Sequence, residues 1–373
     1  MKFYASGLIT LIFAALLMGC GGDYRQEAVG GFGEAVVVMD STQWQGSATA
    51  EAVRQTYGQV IRTLPTYESA YDLRWENFNS QQELDNLKRN KNLIIAAPLE
   101  GEGNTAEWIR SLLGEEVKKR VRSGESFAFP FENQWYRNQW AIVLTSTSDS
   151  ALAARINDSR DALVERLTDK ELRRWTEEIY DRGEKTDIED SLMTNHGWMI
   201  RVQHDWYKNL DTTWTENGQT QHIVTMRREL PENSRWFWAW WREDVSPAMV
   251  DSIDQTWINT RRDSLMRDWV RGTRPDSYVT TEYRRDVVTE RLELNGNPAW
   301  ETQGVWRMTG DAMGGPFRTM TVYDADSERL FILEFGQFAP KYNKRHFVRQ
   351  FRAMLRTFRT DSTWNRNTPM AAN

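Results

Sequence analysis

The sequence predicts a mixed α+β protein in two similar halves, each with a mixed sheet covered by packed helices. Apolar runs rich in β-branched residues, such as Val36-Val37-Val38, indicate buried strands. These runs alternate with segments in which apolar residues recur every three or four positions, which is typical of helices packed on a sheet. The length of 373 residues exceeds one ordinary domain and therefore favours two.

The first half is predicted over residues 34–183. Its strands are expected at the apolar runs, at residues 34–39, 71–75, 93–97, 127–131 and 135–144. Its helices are expected where the apolar spacing is three or four, at residues 52–64, 80–91, 108–121 and 148–182. The polar stretch at residues 183–196 is interpreted as the boundary between the halves.

The second half is predicted over residues 196–360. Its strands are expected at residues 198–204, 222–229, 235–242, 278–294, 300–308, 317–323 and 329–335. Ser246 followed by Pro247 predicts the start of a helix that runs to residue 270, and the last helix is expected at residues 344–359. Residues 361–373 form a polar tail that is expected to fray.

Residues 1–19 predict an export signal and not an element of the fold. Lys2 precedes an apolar run at residues 8–18, which is too short to span a membrane because a spanning helix needs about 20 apolar residues. The run ends in Leu17-Met18-Gly19-Cys20. This ending resembles the lipobox of bacterial lipoproteins, and the resemblance implies cleavage before Cys20 and a diacylglycerol on its sulfur. The alternative is an ordinary secretory signal whose cysteine is incidental.

A lipid on Cys20 would place the protein at the cell envelope, because two or more acyl chains hold a protein stably on a membrane. Residues 20–33 are rich in glycine and predict a flexible tether with a reach on the order of 20 Å. In the sorting rule of some lipoproteins, an aspartate directly after the cysteine retains the protein in the inner membrane. Asp23 comes two places too late for that rule. The resemblance therefore favours the outer membrane over the inner one.

The charge and the motifs exclude several classes of function. The formal net charge is -6, and removing residues 1–20, which hold one lysine and no acid, leaves -7. An acidic body argues against nucleic acid as a partner. The four histidines lack the spacing of a metal site, and no G-x-S-x-G turn is present. We therefore expect no cofactor, no metal and no catalytic residue that the sequence can identify.

Two features are candidate binding sites. If residues 235–242 form a strand, Trp236, Trp238 and Trp240 line one face, where tryptophans can stack on sugar rings. The alternative is a central strand covered by helices on both faces. The second feature is a row on the last helix: Arg345, Arg349, Arg352, Arg356 and Arg359. This row is either a solvated face paired with carboxylates or a contact for anionic headgroups or an acidic partner.

The lipobox, the tryptophan-rich strands and the segment 323–335 (YDADSERLFILEF) together resemble a family of uncharacterised bacterial envelope lipoproteins, classed as a domain of unknown function. The likeness spans nearly the whole chain and implies no activity, cofactor or catalytic residue. The terminal strand, loop and helix also resemble small α+β domains of photosystem-associated proteins, which bears on the fold alone.

Two hypotheses for the function follow. The first is a membrane-anchored, non-catalytic envelope lipoprotein that acts as a scaffold or binds an envelope protein or a glycan through its tryptophan-rich sheet. The alternative is an envelope hydrolase acting on a cell-wall or glycan substrate. That alternative requires a concave pocket with two carboxyl groups about 5–10 Å apart.

Overall fold

The computed structural model describes residues 24–364, in which helices cover two sheets and confirm the predicted α+β class. The predicted signal peptide and Cys20 lie outside the described residues, as do residues 365–373. Within residues 24–364, none of the helices combines the length and the apolar character needed to cross a bilayer.

The elements of the first half are β1 (Glu34–Val38), α1 (Ser41–Gly46), α2 (Ala48–Tyr57), β2 (Asp72–Glu76), α3 (Gln81–Leu87), β3 (Asn92–Ala96), α4 (Asn104–Leu112), α5 (Glu115–Arg122), β4 (Ala128–Glu132), β5 (Trp140–Leu144), α6 (Asp149–Asp158) and α7 (Arg160–Tyr180). The strands form one sheet in the order β2-β1-β3-β5-β4, parallel except for β4. Every residue of β3 and β5 is buried, because helices cover both faces of a parallel sheet.

Three predicted helices of the first half have different limits. The helix expected at residues 52–64 begins earlier, because the Ser47 hydroxyl accepts a hydrogen bond from the Ala50 amide at 3.0 Å, and it ends before Gly58. The helix expected at residues 108–121 is divided where Leu113 adopts an extended conformation. The long helix expected at residues 148–182 is interrupted at Ser159, between α6 and α7.

The elements of the second half are α8 (Thr186–His196), β6 (Trp198–Met199), β7 (Tyr207–Glu216), β8 (Gln219–Leu230), β9 (Asn233–Arg242), α9 (Gln255–Trp269), β10 (Val279–Thr281), β11 (Val288–Leu294), β12 (Asn297–Met308), β13 (Gly314–Asp324), β14 (Arg329–Phe338), α10 (Arg345–Leu355) and β15 (Arg359–Thr360). Eight strands form an antiparallel sheet in the order β10-β12-β13-β14-β9-β8-β7, with β11 also paired to β12. Helix α9 covers one face of this sheet, and α10 and α7 cover the other.

The second half also departs from the prediction in several places. The polar stretch at residues 183–196 contains helix α8, which ends at Gly197 in a left-handed conformation with φ of 66°. Ser246 caps a short 3-10 turn, and the longer helix α9 has its own cap at Asp254. Strand β7 was not predicted, because most of its side chains are polar and exposed at the sheet edge. The strand expected at residues 278–294 is two strands, β10 and β11.

The segment before β1 packs on the first half and is not a free tether over its whole length. The Ala28 amide donates to the carbonyl of Arg137 at 3.0 Å, and the Val29 amide donates to that of Arg89 at 2.8 Å. The Phe32 ring stacks on Trp175 with the ring centres 3.9 Å apart. The predicted tether of residues 20–33 is therefore too long at its carboxyl end.

The two halves share one hydrophobic core. Leu172 and Trp175 of α7 pack in the same cluster as Phe331 and Phe335 of β14 and Phe351 of α10. Helix α7 thus ends the first half and also covers the sheet of the second. This shared core places α7 and α10 side by side and sets the position of the candidate site.

Candidate functional site

Four of the five predicted arginines on and after α10 face carboxylates of the first half. The Arg345 guanidinium donates to Asp72 at 3.0 Å, and that of Arg349 contacts Glu171. Arg352 lies 2.8 Å from Glu165, and Arg356 lies 2.9 Å from Asp169. Pairing with carboxylates was one of the two interpretations; the pairs join the two halves, and Asp72, Glu165 and Asp169 keep part of their surface in solvent, whereas Glu171 is buried. Each of these four guanidinium groups already has a carboxylate partner within the protein, and contact with anionic headgroups or an acidic partner stays a prediction.

The amino-terminal end of α10 is also held by the first half. The backbone amides of Lys344 and Arg345 donate to the Glu68 carboxylate at 2.7 and 2.9 Å. A negative charge at this end of a helix is favourable, because the helix dipole is positive there. Glu171 contributes a further link, since it is fully buried and accepts a hydrogen bond from the Gly33 amide at 2.8 Å.

A deeper charged cluster lies behind this row. Glu301 on β12 is 4% exposed, 2.7 Å from an Arg318 nitrogen and 2.8 Å from the Nε atom of Arg352. Burial alone would raise the pKa of Glu301, but the guanidinium groups of Arg318 and Arg352 outweigh it and lower the pKa to about 2. Glu301 therefore stays charged near neutral pH, and Arg352 is shared between Glu301 and Glu165.

A cleft opens between the two halves beside these ion pairs. Its volume is about 830 Å³, and its walls come from α7, from β11 with the turn to β12, and from α10 with the residues that follow it. Leu172, Leu292 and Ala353 contribute apolar surface to it. A second recess of about 460 Å³ shares four of its lining residues, Asp161, Glu165, Glu290 and Arg352. A concave site of this size with a few charged groups is typical of small-molecule binding sites.

Burial and neighbouring arginines change the pKa values of the acidic groups in and near the cleft in opposite directions. Burial alone would raise the pKa of Glu165, but Arg352 and Arg356 outweigh it and lower the pKa. Outside the cleft, burial raises the pKa of Glu189 to about 7, and this carboxyl group is near the Arg201 guanidinium, which does line the cleft. Glu189 itself accepts a hydrogen bond from the Val202 amide at 2.7 Å and does not line the cleft.

Six arginines line the cleft, and four of them, from α7, from the segment after β6 and from the residues after α10, form the group that we call its arginine end. Arg173 pairs with Glu132 at 2.6 Å, Arg201 pairs with Glu184 at 2.7 Å, and Arg356 pairs with Asp169. The fourth is Arg359, the last residue of the predicted row. Burial lowers its pKa, and among residues 24–364 no carboxylate forms an ion pair with it.

The predicted tryptophan face is closed. Trp238 and Trp240 are fully buried against Leu265 and Met266 of α9. The Trp236 ring is partly buried and lies 4.9 Å from the Trp306 ring, centre to centre. The alternative, a central strand with both faces covered, therefore describes β9. An exposed platform for stacking on sugars is absent from this face.

The histidines lie away from the cleft. His196 is 3.0 Å from Asp211, and the His222 ring stacks on Trp241 with the centres 4.7 Å apart. Across residues 24–364, no three histidine, cysteine, aspartate or glutamate side chains are arranged to hold a metal ion.

The sequence reasoning found the arginines but missed their partners. Glu165 and Asp169 are four residues apart on α7, and Arg352 on α10 is four residues before Arg356, which caps that helix. This matched spacing was a signal for two helices that pair along their length. Glu301 and Arg318 gave no such signal, because they lie on neighbouring strands inside the sheet.

Comparisons with known proteins match each half of the chain to a separate family model. Residues 185–357 match the model of a family described as a domain of unknown function (DUF4837), and residues 28–180 match another described as a domain of unknown function (DUF8532). A similar solved structure is the solution structure of cyanobacterial PsbP (CyanoP) from Synechocystis sp. PCC 6803. It has 12% sequence identity and a TM-score of 0.31, and the match covers 45% of this chain and 88% of that one. No curated protein matches the chain.

Proposed function

Since residues 185–357 match the model of a domain of unknown function (DUF4837), we propose a function from the site itself. The chain is a non-catalytic binding protein of the bacterial cell envelope, anchored by lipid on Cys20, with its ligand in the cleft between the halves. The observation that carries the binding role is the cleft of about 830 Å³ with apolar surface and charged walls.

The walls of the cleft support a binding role because they are held in place before any ligand arrives. The buried pair of Arg349 with Glu171 and the shared Arg352 connect α10 to α7 directly beneath the cleft. A preformed site loses less conformational entropy when it binds. The ligand class expected from the envelope location is a glycan fragment or a peptide segment of an envelope protein.

The binding role is tested by obstructing the cleft. Ala162 is exposed on α7 and lines the cleft, so Ala162→Trp places an indole in its mouth. Ala154→Trp on α6 is the matched control, because that alanine is also exposed but lies outside the cleft. Glycan fragments and short peptides are titrated against the soluble body, residues 21–373, and the thermal midpoint is recorded.

A ligand of the cleft raises the midpoint of the unmodified body and of Ala154→Trp, and raises that of Ala162→Trp much less, because binding to the folded state stabilises it. An equal response of the two variants would show that binding takes place elsewhere. A panel without any response would leave the cleft with no ligand of these classes and would count against the proposal.

The anchor rests on the resemblance of residues 17–20 to a lipobox. Residues 25–32 contact the first half, beginning with the Arg25 guanidinium on the carbonyl of Asn133, so a lipid on Cys20 would hold the body close to the membrane. Cys20→Ser is expected to move the protein to the soluble fraction and to remove the acyl mass seen by mass spectrometry. Unchanged membrane fractionation with no lipid mass on the unmodified protein would refute the anchor.

The hydrolase alternative needs a cleft carboxyl group that keeps its proton near neutral pH. Glu165 lines the cleft, but its pKa is lowered by the neighbouring arginines, which is the wrong direction for a proton donor. Glu165 is therefore not assigned as a proton donor, and we propose binding, with Glu290 as the cleft carboxylate that tests the alternative. Turnover of a cell-wall substrate that Glu290→Gln abolishes would reverse that choice.

A further inference from the structure

We infer that the arginine end of the cleft binds an oxyanion of the ligand, a carboxylate or a phosphate group, and that Arg359 is its main contact. This inference rests on the proposed binding function and specifies the chemistry of the ligand. Three observations carry it: the place of Arg359 in the cleft, the groups its guanidinium leaves unused, and the pairing of the other arginines around it.

The position of Arg359 is set by two backbone connections. It begins β15, which pairs with β6 through Arg359 and Met199. The Asn295 side-chain amide donates to the carbonyl of Phe358 at 2.9 Å, which holds the β11–β12 turn against the end of α10. Arg359 therefore lines the cleft between this turn and Arg201.

The guanidinium of Arg359 is only partly used. Its Nη1 donates to the carbonyls of Arg356 and Phe358 at 2.9 and 2.7 Å. The Nε and Nη2 atoms make no hydrogen bond within residues 24–364. Two parallel N–H groups on one guanidinium match the two oxygens of a carboxylate or a phosphate.

Each neighbouring arginine is paired with a carboxylate that does not also contact Arg359. Arg201 holds Glu184 with both Nε and Nη2 at 2.7 Å, and Arg173 and Arg356 are paired with acids of their own. Arg359 is thus left without a carboxylate partner in the described residues, although Asp161, Glu290 and Glu293 also line the cleft. A half-buried charge without a counterion is unfavourable, and the lowered pKa of Arg359 has this desolvation as its cause. An anion from the ligand removes the penalty.

A second unpaired arginine lies on the rim. Arg291 of β11 is exposed and lines the cleft, and its guanidinium lies 5.6 Å from the centre of the Trp300 ring. No carboxylate forms an ion pair with it in the described part of the chain. Arg291 offers an anionic ligand a second cation in the cleft wall, beside Glu290 and Glu293.

The test measures anion binding to the soluble body and to three variants. Sodium phosphate, sodium succinate and neutral glucose are titrated at constant ionic strength, with tryptophan fluorescence and the thermal midpoint as readouts. Arg359→Gln removes the charge, Arg359→Lys keeps it, and Arg227→Gln is a control on β8 outside the cleft. The inference expects a dissociation constant at least about tenfold higher in Arg359→Gln, an intermediate value in Arg359→Lys and no change in Arg227→Gln.

The two anions distinguish which group is bound. A lower dissociation constant for phosphate indicates a phosphate group, and a lower one for succinate indicates a carboxylate. A purely structural role for Arg359 predicts a lower midpoint in Arg359→Gln without any anion. The inference predicts an unchanged or higher midpoint, because an unpaired half-buried charge is removed. A fall in the midpoint together with unchanged anion binding would overturn it.

The inference and the proposed function fail in different ways. Equal anion binding by the unmodified body and Arg359→Gln, or binding of glycan or peptide that no anion displaces, overturns the role of Arg359 and leaves the cleft as the binding site. If neither anions nor the glycan and peptide panel bind, or if Ala162→Trp has no effect on any of them, the cleft proposal falls and this inference with it.

Discussion

Replacing Glu171 with glutamine tests whether buried charge pairs join the two halves. Glu171 is fully buried, accepts from the Gly33 amide at 2.8 Å, and contacts the Arg349 guanidinium, which is itself 6% exposed. Glutamine keeps the shape and one oxygen for the Gly33 amide, so the substitution removes the negative charge and the hydrogen bond from the Arg349 guanidinium. Breaking a buried pair in this way leaves an uncompensated cation and costs about 3–5 kcal/mol.

The matched control is Glu165→Gln on the same helix. Glu165 also pairs with an arginine of α10, at 2.8 Å, but its side chain is 43% exposed. An ion pair with such an exposed partner contributes about 0–1 kcal/mol, because water screens the charges. The free energy of unfolding is measured for both variants by urea denaturation, followed by tryptophan fluorescence and circular dichroism. The difference between the two variants should reach about 2 kcal/mol or more.

The double variant Glu171→Gln/Arg349→Gln completes the experiment. Neutralising both partners removes the uncompensated charge, so the double variant should be more stable than Glu171→Gln alone. Equal losses of stability in Glu171→Gln and Glu165→Gln would refute the reasoning, because burial would then make no difference to how much the ion pair contributes to the free energy of unfolding.

Two further predictions concern pH and the tryptophan strand. Burial raises the pKa of Glu189 to about 7, above its unfolded value of 4.5, so its contribution to stability is complete below 4.5 and is lost as the pH rises through 7. Glu189→Gln should therefore flatten the fall in the free energy of unfolding between about pH 5 and 8, measured by urea denaturation; an unchanged pH profile would contradict this. Trp238→Ala should lower the free energy of unfolding by about 3–5 kcal/mol, because the indole is fully buried. Trp214→Ala, at a half-buried ring, should lower the thermal midpoint less than Trp238→Ala does. Equal losses in the two variants would contradict the packing argument.

Most strands could be predicted because their signal is local. Each predicted strand of the first half is present, since a run such as Leu93-Ile94-Ile95 is apolar on both faces whatever surrounds it. Strand β7 escaped because an exposed edge strand has no apolar face to detect. The helix limits at Leu113 and Ser159 escaped because the apolar spacing continues across both breaks.

The sequence by itself determined most of the strands and helices, the resemblance of residues 17–20 to a lipobox and the row of arginines at intervals of three and four. The tertiary structure alone decided what those arginines meet: Glu171 is 178 residues from Arg349 in the chain and lies on another helix. It also decided that α9 covers Trp238 and that a cleft remains between the halves. Periodicity shows which side of a helix or strand is apolar or charged. The packing of distant elements determines whether that side is covered, paired with opposite charge or left open.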